Sequence, residues 1–116
     1  MKLEVGMYVR HKTLLSSKYV KINKIKEIEE KENCLHIWLE DKDLIIEKYL
    51  IKASYNIIDI LEVGDYVNGV EVINIDDEWI TMSDIQLPIL KSIANGMIKS
   101  VVTHEQMEQM AYKVEE

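Results

Sequence analysis

The chain has 116 residues, 47% of them hydrophobic, one cysteine and a formal net charge of −7. That apolar content supports a packed core and excludes a disordered chain. A lone Cys34 excludes an internal disulfide framework, and no run approaches the ~20 apolar residues of a membrane-spanning helix.

Charge is unevenly distributed. Residues 1–58 carry 11 Lys/Arg and 9 Asp/Glu, net +2, whereas residues 59–116 carry 3 and 12, net −9. Such a dipole bears on partners and association rates, not on fold. The N-terminal MKLEVGMYVR alternates apolar and polar residues and lacks the continuous apolar stretch of a signal peptide. Together with the single thiol, this leads us to expect a cytoplasmic protein.

The chain opens on LEVGMYVR (3–10), which returns as LEVGDYVN (61–68) with six of eight positions identical at an offset of 58. A weaker echo, Ile51-Lys52-Ala53-Ser54 against Ile98-Lys99-Ser100-Val101, has an offset of 47. An internal duplication is the reading, and it governs the fold. Each VGxYV segment is read as a strand by its period of two, with the glycine suiting a turn into it.

KYVKINKIKEI follows as a strand running to a polar stretch, Glu29 to Asn33, then CLHIWLE, an Asp41-Lys42-Asp43 turn and LII. Glu47 to Ala53 fits one or two helical turns. In the second half, Asn68-Gly69 between YV and VEVINI is a strong signal for a tight hairpin. Asp76-Asp77-Glu78 then separates VEVINI from WITMS. Pro88 should interrupt any regular element, and Asn95-Gly96 marks another turn. Thr103 and Gln106 have capping-box spacing, so a short helix is expected near 104–110, with Met107 and Met110 facing the core and Tyr112-Lys113-Val114 returning as an edge strand. Trp38 and Trp79 are expected to pack in the two cores.

These elements give an all-β, β-rich protein of two small SH3-like barrel halves from an internal duplication, residues 1–57 and 58–116, with the short C-terminal helix in the second. Halves of this size are marginal alone and should share an interface.

The segment ASYNIIDILEVGDYVNG (53–69) and the tail KSVVTHEQMEQMAYKV (99–114) resemble a group of short uncharacterised proteins encoded by phages and prophages of clostridia and related Firmicutes. That group carries no assigned catalytic motif. The resemblance implies a phage-type gene product and transfers no functional residue.

No residue set performs recognisable chemistry. His11, His36 and His104 are scattered, and none stands at metal-ligand spacing from Cys34. His104-Glu105 begins like a zinc-protease helix, but Glu108 occupies the place of the second histidine. Cys34 and His36 would share a sheet face, a geometry open to nucleophilic chemistry, although a free cysteine more often fills a core. Ser16-Ser17 lacks nucleophile-elbow glycines, and the four glycines form no phosphate loop. The expectation is a non-enzymatic protein with no catalytic residue, metal or cofactor.

Two surfaces remain. Asp76, Asp77, Glu78 and Trp79, with Asp65, Glu71 and Asp84, make an acidic face suited to a basic partner. Lys18, Lys21, Lys24 and Lys26, with Tyr19 among them, offer an alternative nucleic-acid-binding patch, which the net charge opposes. The leading expectation is an accessory protein that binds and inhibits a host defence protein, such as a basic, nucleic-acid-binding CRISPR nuclease. Direct nucleic-acid binding, capture of a nucleotide signal and a virion structural role are the alternatives, and homo-oligomerisation stays open.

Overall fold

A computed structural model describes residues 2–13 and 19–110 of the chain. Among the described residues, ten strands form two five-stranded antiparallel sheets. The first contains β1 (Tyr8–Lys12), β2 (Val20–Lys31), β3 (Cys34–Leu39), β4 (Leu44–Ile46) and β5 (Leu50–Ser54). The second contains β6 (Tyr66–Val67), β7 (Val70–Ile75), β8 (Trp79–Met82), β9 (Pro88–Leu90) and β10 (Val101–Val102). The orders are β4-β3-β2-β1-β5 and β10-β6-β7-β8-β9. With β6 placed on β1, these are one order, so the duplication extends from sequence to topology. Between the fourth and fifth strand the first half has a 3-10 turn, Glu47–Tyr49, and the second has helix α1 (Lys91–Asn95). Helix α2 (His104–Met110) closes the described chain.

The repeated segment is a turn followed by a strand, so Val5 and Val63 lie in turns and are exposed rather than inside a strand. In both copies a backbone bond closes the turn, Met7 N to Glu4 O at 3.2 Å and Asp65 N to Glu62 O at 3.1 Å. Gly6 (φ 95°) and Gly64 (φ 97°) supply the positive φ required at the third turn position. The next bonds also match. Gly6 N donates to Ile25 O and Gly64 N to Val72 O, both at 2.9 Å, while Ile25 N returns to Met7 O and Val72 N to Asp65 O, both at 2.8 Å. The weaker echo needs a one-residue adjustment. Val9 pairs with Ala53 and Val67 with Val101, an offset of 48.

Asn68 and Gly69 both have positive φ, and Val67 pairs with Val70 across them, as a tight hairpin requires. The capping box forms reciprocally, with Gln106 N donating to Thr103 Oγ1 and Thr103 N to Gln106 Oε1, each at 3.0 Å.

Each half has its own core. Met7, Val9, Ile25, Ile37, Leu39 and Ile45 fill the first, and Ile58, Leu61, Val67, Val72 and Ile80 the second. Ile22, on the outer face of β2, packs against the second core, so the halves share apolar surface.

Four local expectations are corrected. Trp38 and Trp79 are 38% and 41% exposed, because the register turns Ile37, Leu39 and Ile80 inward and leaves each indole on the outer face. Pro88 begins β9 instead of breaking it; β9 is an edge strand, where a missing N–H is tolerated. Met110 is exposed while Met107 is half-buried. Glu47 to Ala53 yields one 3-10 turn and then β5. The expected edge strand at Tyr112-Lys113-Val114 lies outside the described residues, as do Ser16, Ser17 and Lys18.

Candidate functional site

Polar chemistry concentrates where the halves meet. Val9 of β1 points into the first core, so strand alternation turns Arg10 to the opposite face, against the second half. Its side chain is wholly buried. Nη1 and Nη2 meet Asp65 Oδ2 and Oδ1 at 2.7 and 3.1 Å, a two-point grip. Nη2 also meets Glu105 Oε1 at 2.6 Å, Nε lies 3.3 Å from Glu62 Oε2, and Nη1 donates to Ile60 O. Burial works against the guanidinium charge, but the Asp65 hydrogen bond and the surrounding carboxylates outweigh it and hold the Arg10 pKa above its ordinary value.

Asp65 is saturated from the other side, Oδ1 accepting His104 N at 2.9 Å and Oδ2 accepting Glu62 N at 2.8 Å. Glu62 meets His104 Nε2 at 3.0 Å and Lys52 Nζ at 3.4 Å. Burial raises the Glu62 pKa, yet His104, Arg10 and Lys52 together bring it below the ordinary value. Glu62, His104 and Glu105 place one potential metal ligand each within 4.8 Å of one another. Both of those carboxylates already face Arg10, which a divalent cation would confront at close range. The cluster works chemically as an internal ion network joining the halves.

The expected acidic face is only partly assembled. Asp76, Asp77 and Glu78 are exposed in the β7–β8 hairpin, closed by Asp76 N to Trp79 O at 2.8 Å. Trp79 stands beside them, and Lys91 of α1 completes their hollow. On the adjoining side Asp59 joins Asp77, Glu78 and Lys91 around a second hollow. Asp84 lies beyond the opposite end of β8, and Glu71 is half-buried in β7, paired with Tyr66. Asp65 is corrected outright: it is 0% exposed and committed to Arg10, so no partner reaches it.

The basic alternative is divided. Lys21 and Lys24 occupy opposite faces of β2. Lys21 is engaged by Asp41 and Asp43 at 3.5 and 3.6 Å, and Lys24 lies over the Tyr8 ring at 5.5 Å. Lys26 is exposed and Lys18 lies outside the described residues. Cys34 contacts the Leu35 carbonyl, and no described bond joins it to His36. His11 is buried at the end of the first core. Its Nδ1 faces the Lys12 carbonyl at 2.8 Å and so carries the proton, while Nε2 accepts from Asn23, whose amide also reaches Asp41. Burial lowers the His11 pKa, with the Lys12 carbonyl opposing.

Sequence reasoning missed two features. At the open end of the second core lies an apolar groove of about 180 Å³, its wall including Ile58, Val70, Ile80, Met82, Ile89 and Ile98. Ile85 and Met97 at its edge are 57% and 58% exposed. The available signal was Ile85, an apolar side chain in the β8–β9 connection, where a loop is ordinarily polar. Arg10 was also missed as a junction residue, although it stands at a position where the two repeats differ. No family model, curated protein or solved structure matches the chain.

Proposed function

We propose that the protein is a non-enzymatic binding protein whose acidic second half captures a basic host protein, and that it inhibits a host defence nuclease by occupying the surface that would hold nucleic acid. Each half is read as an SH3-like barrel, supported by the shared strand order and by the short helical turn before the last strand. The phage-type role and cytoplasmic setting rest on the sequence resemblance and the lone thiol.

The observation that carries the proposal is the β7–β8 hairpin. Asp76, Asp77 and Glu78 are exposed, take part in none of the described ion pairs, and adjoin a half-exposed Trp79. Carboxylates steer a basic partner, and an aromatic anchor supplies most of the contact energy. Lys21, by contrast, is already neutralised by two aspartates, which argues against the nucleic-acid reading.

The test is capture from host lysate combined with infection of defence-positive hosts. Changing Asp76, Asp77 and Glu78 together to Ser should leave the fold intact and weaken capture about tenfold, roughly 1.4 kcal/mol. Association should also slow with salt above about 0.15 M, where screening acts within ~8 Å. A folded triple variant that binds and protects like the parent would reduce the hairpin to a solvated turn.

A further inference from the structure

We propose that the groove at the open end of the second core is a binding site for one large apolar side chain carried on a Lys/Arg-rich protein segment. The inference rests on the acidic half being a binding face, and assigns the chemistry of what it binds.

Size and lining define the anchor. An apolar cavity of about 150 Å³ admits a benzene molecule, and this groove measures about 180 Å³. It therefore accommodates a leucine, phenylalanine or similar side chain. Its wall is aliphatic, with Asn68 and Asp84 as the polar groups at the margin. Aliphatic walls with few polar groups are the usual make-up of such sites. Ile85 and Met97 stand exposed at the mouth, able to close over an inserted side chain.

Charge selects what flanks the anchor. Residues 66–99 carry five acidic groups, Glu71, Asp76, Asp77, Glu78 and Asp84, against Lys91 and Lys99, a net of −3. Asp84 stands at the groove, and Ile58 lines both the groove and the neighbouring hollow that contains Asp59, Asp77 and Glu78. A segment seated in the groove can thus continue beside α1 toward carboxylates. A second copy meeting this face through its own acidic half would bring the same negative field and be repelled, and its first half, at net +2, offers far less charge than a Lys/Arg-rich segment. A basic segment gains at both places.

The test uses fluorescein-labelled twelve-residue peptides, each with a central Trp or Leu between Lys and Arg residues. Controls replace the central residue with Ser or the flanks with Glu. Fluorescence polarisation should show binding lost at least about tenfold in either control. Amide shifts in NMR spectra of the labelled protein should centre on Ile89, Ala94 and Ile98. Ala94→Leu, which narrows the groove from α1, and Met97→Glu, at its exposed mouth, should each abolish the anchor dependence. Met97→Glu keeps the test valid if Ala94→Leu disturbs folding. Equal affinity for the Ser-centred peptide, or binding unaffected by Met97→Glu, overturns the proposal, as does a concentration-dependent dimer that Met97→Glu dissolves. The Asp76/Asp77/Glu78 triple variant separates the two readings. It should still show anchor-dependent binding with a smaller salt effect. Failure of every peptide, with capture of a folded partner retained, would refute the groove and leave the hairpin reading standing.

Discussion

The turn Glu4-Val5-Gly6-Met7 and its copy Glu62-Val63-Gly64-Asp65 have the same backbone bonds and different occupations. In the first, the Glu4 amide meets Met7 Sδ at 3.2 Å, and Met7 sits in the apolar core. In the second, the Glu62 amide donates to Asp65 Oδ2 at 2.8 Å, and Asp65 grips Arg10. The repeats LEVGMYVR and LEVGDYVN differ at two positions, Met7/Asp65 and Arg10/Asn68. One member of each differing pair, Arg10 from the first copy and Asp65 from the second, forms the buried ion pair between the halves. Asn68, the counterpart of Arg10, instead turns the β6–β7 hairpin and binds Lys99 N, Ser100 N and Met97 O. Shared positions thus encode the common turn and strand, and divergent positions encode the joint.

Erasing that divergence should cost the most stability. Asp65→Met, which restores the first copy's residue, takes the two-point partner from a buried guanidinium, and Arg10→Ala leaves the buried Asp65 carboxylate without its counter-ion. Breaking one partner of a buried pair costs about 3–5 kcal/mol, and urea denaturation should read it. Asp65→Met combined with Arg10→Met should cost less than the two single Met changes summed, by roughly 1 kcal/mol or more. Additive losses would show that Glu62 and Glu105, not Asp65, hold Arg10.

What was legible in the sequence follows the same division. The VGxYV turn, the Asn68-Gly69 hairpin and the Thr103–Gln106 box are local, each specified by residues a few positions apart. The Arg10–Asp65 pair spans 55 residues, and no pattern within either half announces it. Aromatic bulk alone places Trp38 and Trp79 inward, but register decides the face, and their neighbours Ile37 and Ile80 take the core. The exposed Asp76-Asp77-Glu78 turn was readable from composition. The groove brings Ala94 of α1 and Met97 together with Ile80, Met82 and Ile89 of β8 and β9, a tertiary arrangement with only the apolar Ile85 in a loop as a trace.

The two turn glycines have different surroundings. Alanine at either must accept a positive φ, a cost of about 1–2 kcal/mol. A Cβ on Gly64 would also lie 3.2 Å from His104 Cβ, whereas one on Gly6 meets nothing within 4 Å. Gly64→Ala should therefore destabilise more than Gly6→Ala in thermal unfolding. Equal losses would mean that α2 shifts freely. Thr103→Val, which removes the cap and the 2.6 Å bond to Val20 O, should cost about 1 kcal/mol, in the range of an N-cap, and the loss should be read in the same melts.

The smallest effect separates the halves by pH. His11 belongs to the first copy, and its folded pKa lies below the ordinary 6.5, chiefly through burial. The unfolded chain therefore binds its proton first. The resulting stability is complete above pH 6.5 and is lost as pH falls from there through the folded value. The geometry gives the cause: protonated Nε2 would point a donor at the Asn23 amide donor, which is held in place by Asp41. Glu62 belongs to the second copy, and its folded pKa lies below 4.5, burial being outweighed by His104, Arg10 and Lys52. Its contribution is complete above pH 4.5 and fades below, in a separate and more acidic window. Each window has a slope of at most about 1.4 kcal/mol per pH unit, the limit for one proton. In urea midpoints measured against pH, His11→Asn should flatten the profile just below pH 6.5 and leave the acid limb, while Glu62→Gln should do the reverse. Glu4→Gln, at the matching position of the first copy and outside the described ion pairs, is the control. If Glu4→Gln flattened the acid limb as much as Glu62→Gln, the acid response would belong to the shared turn, and the division of labour between the copies would fail.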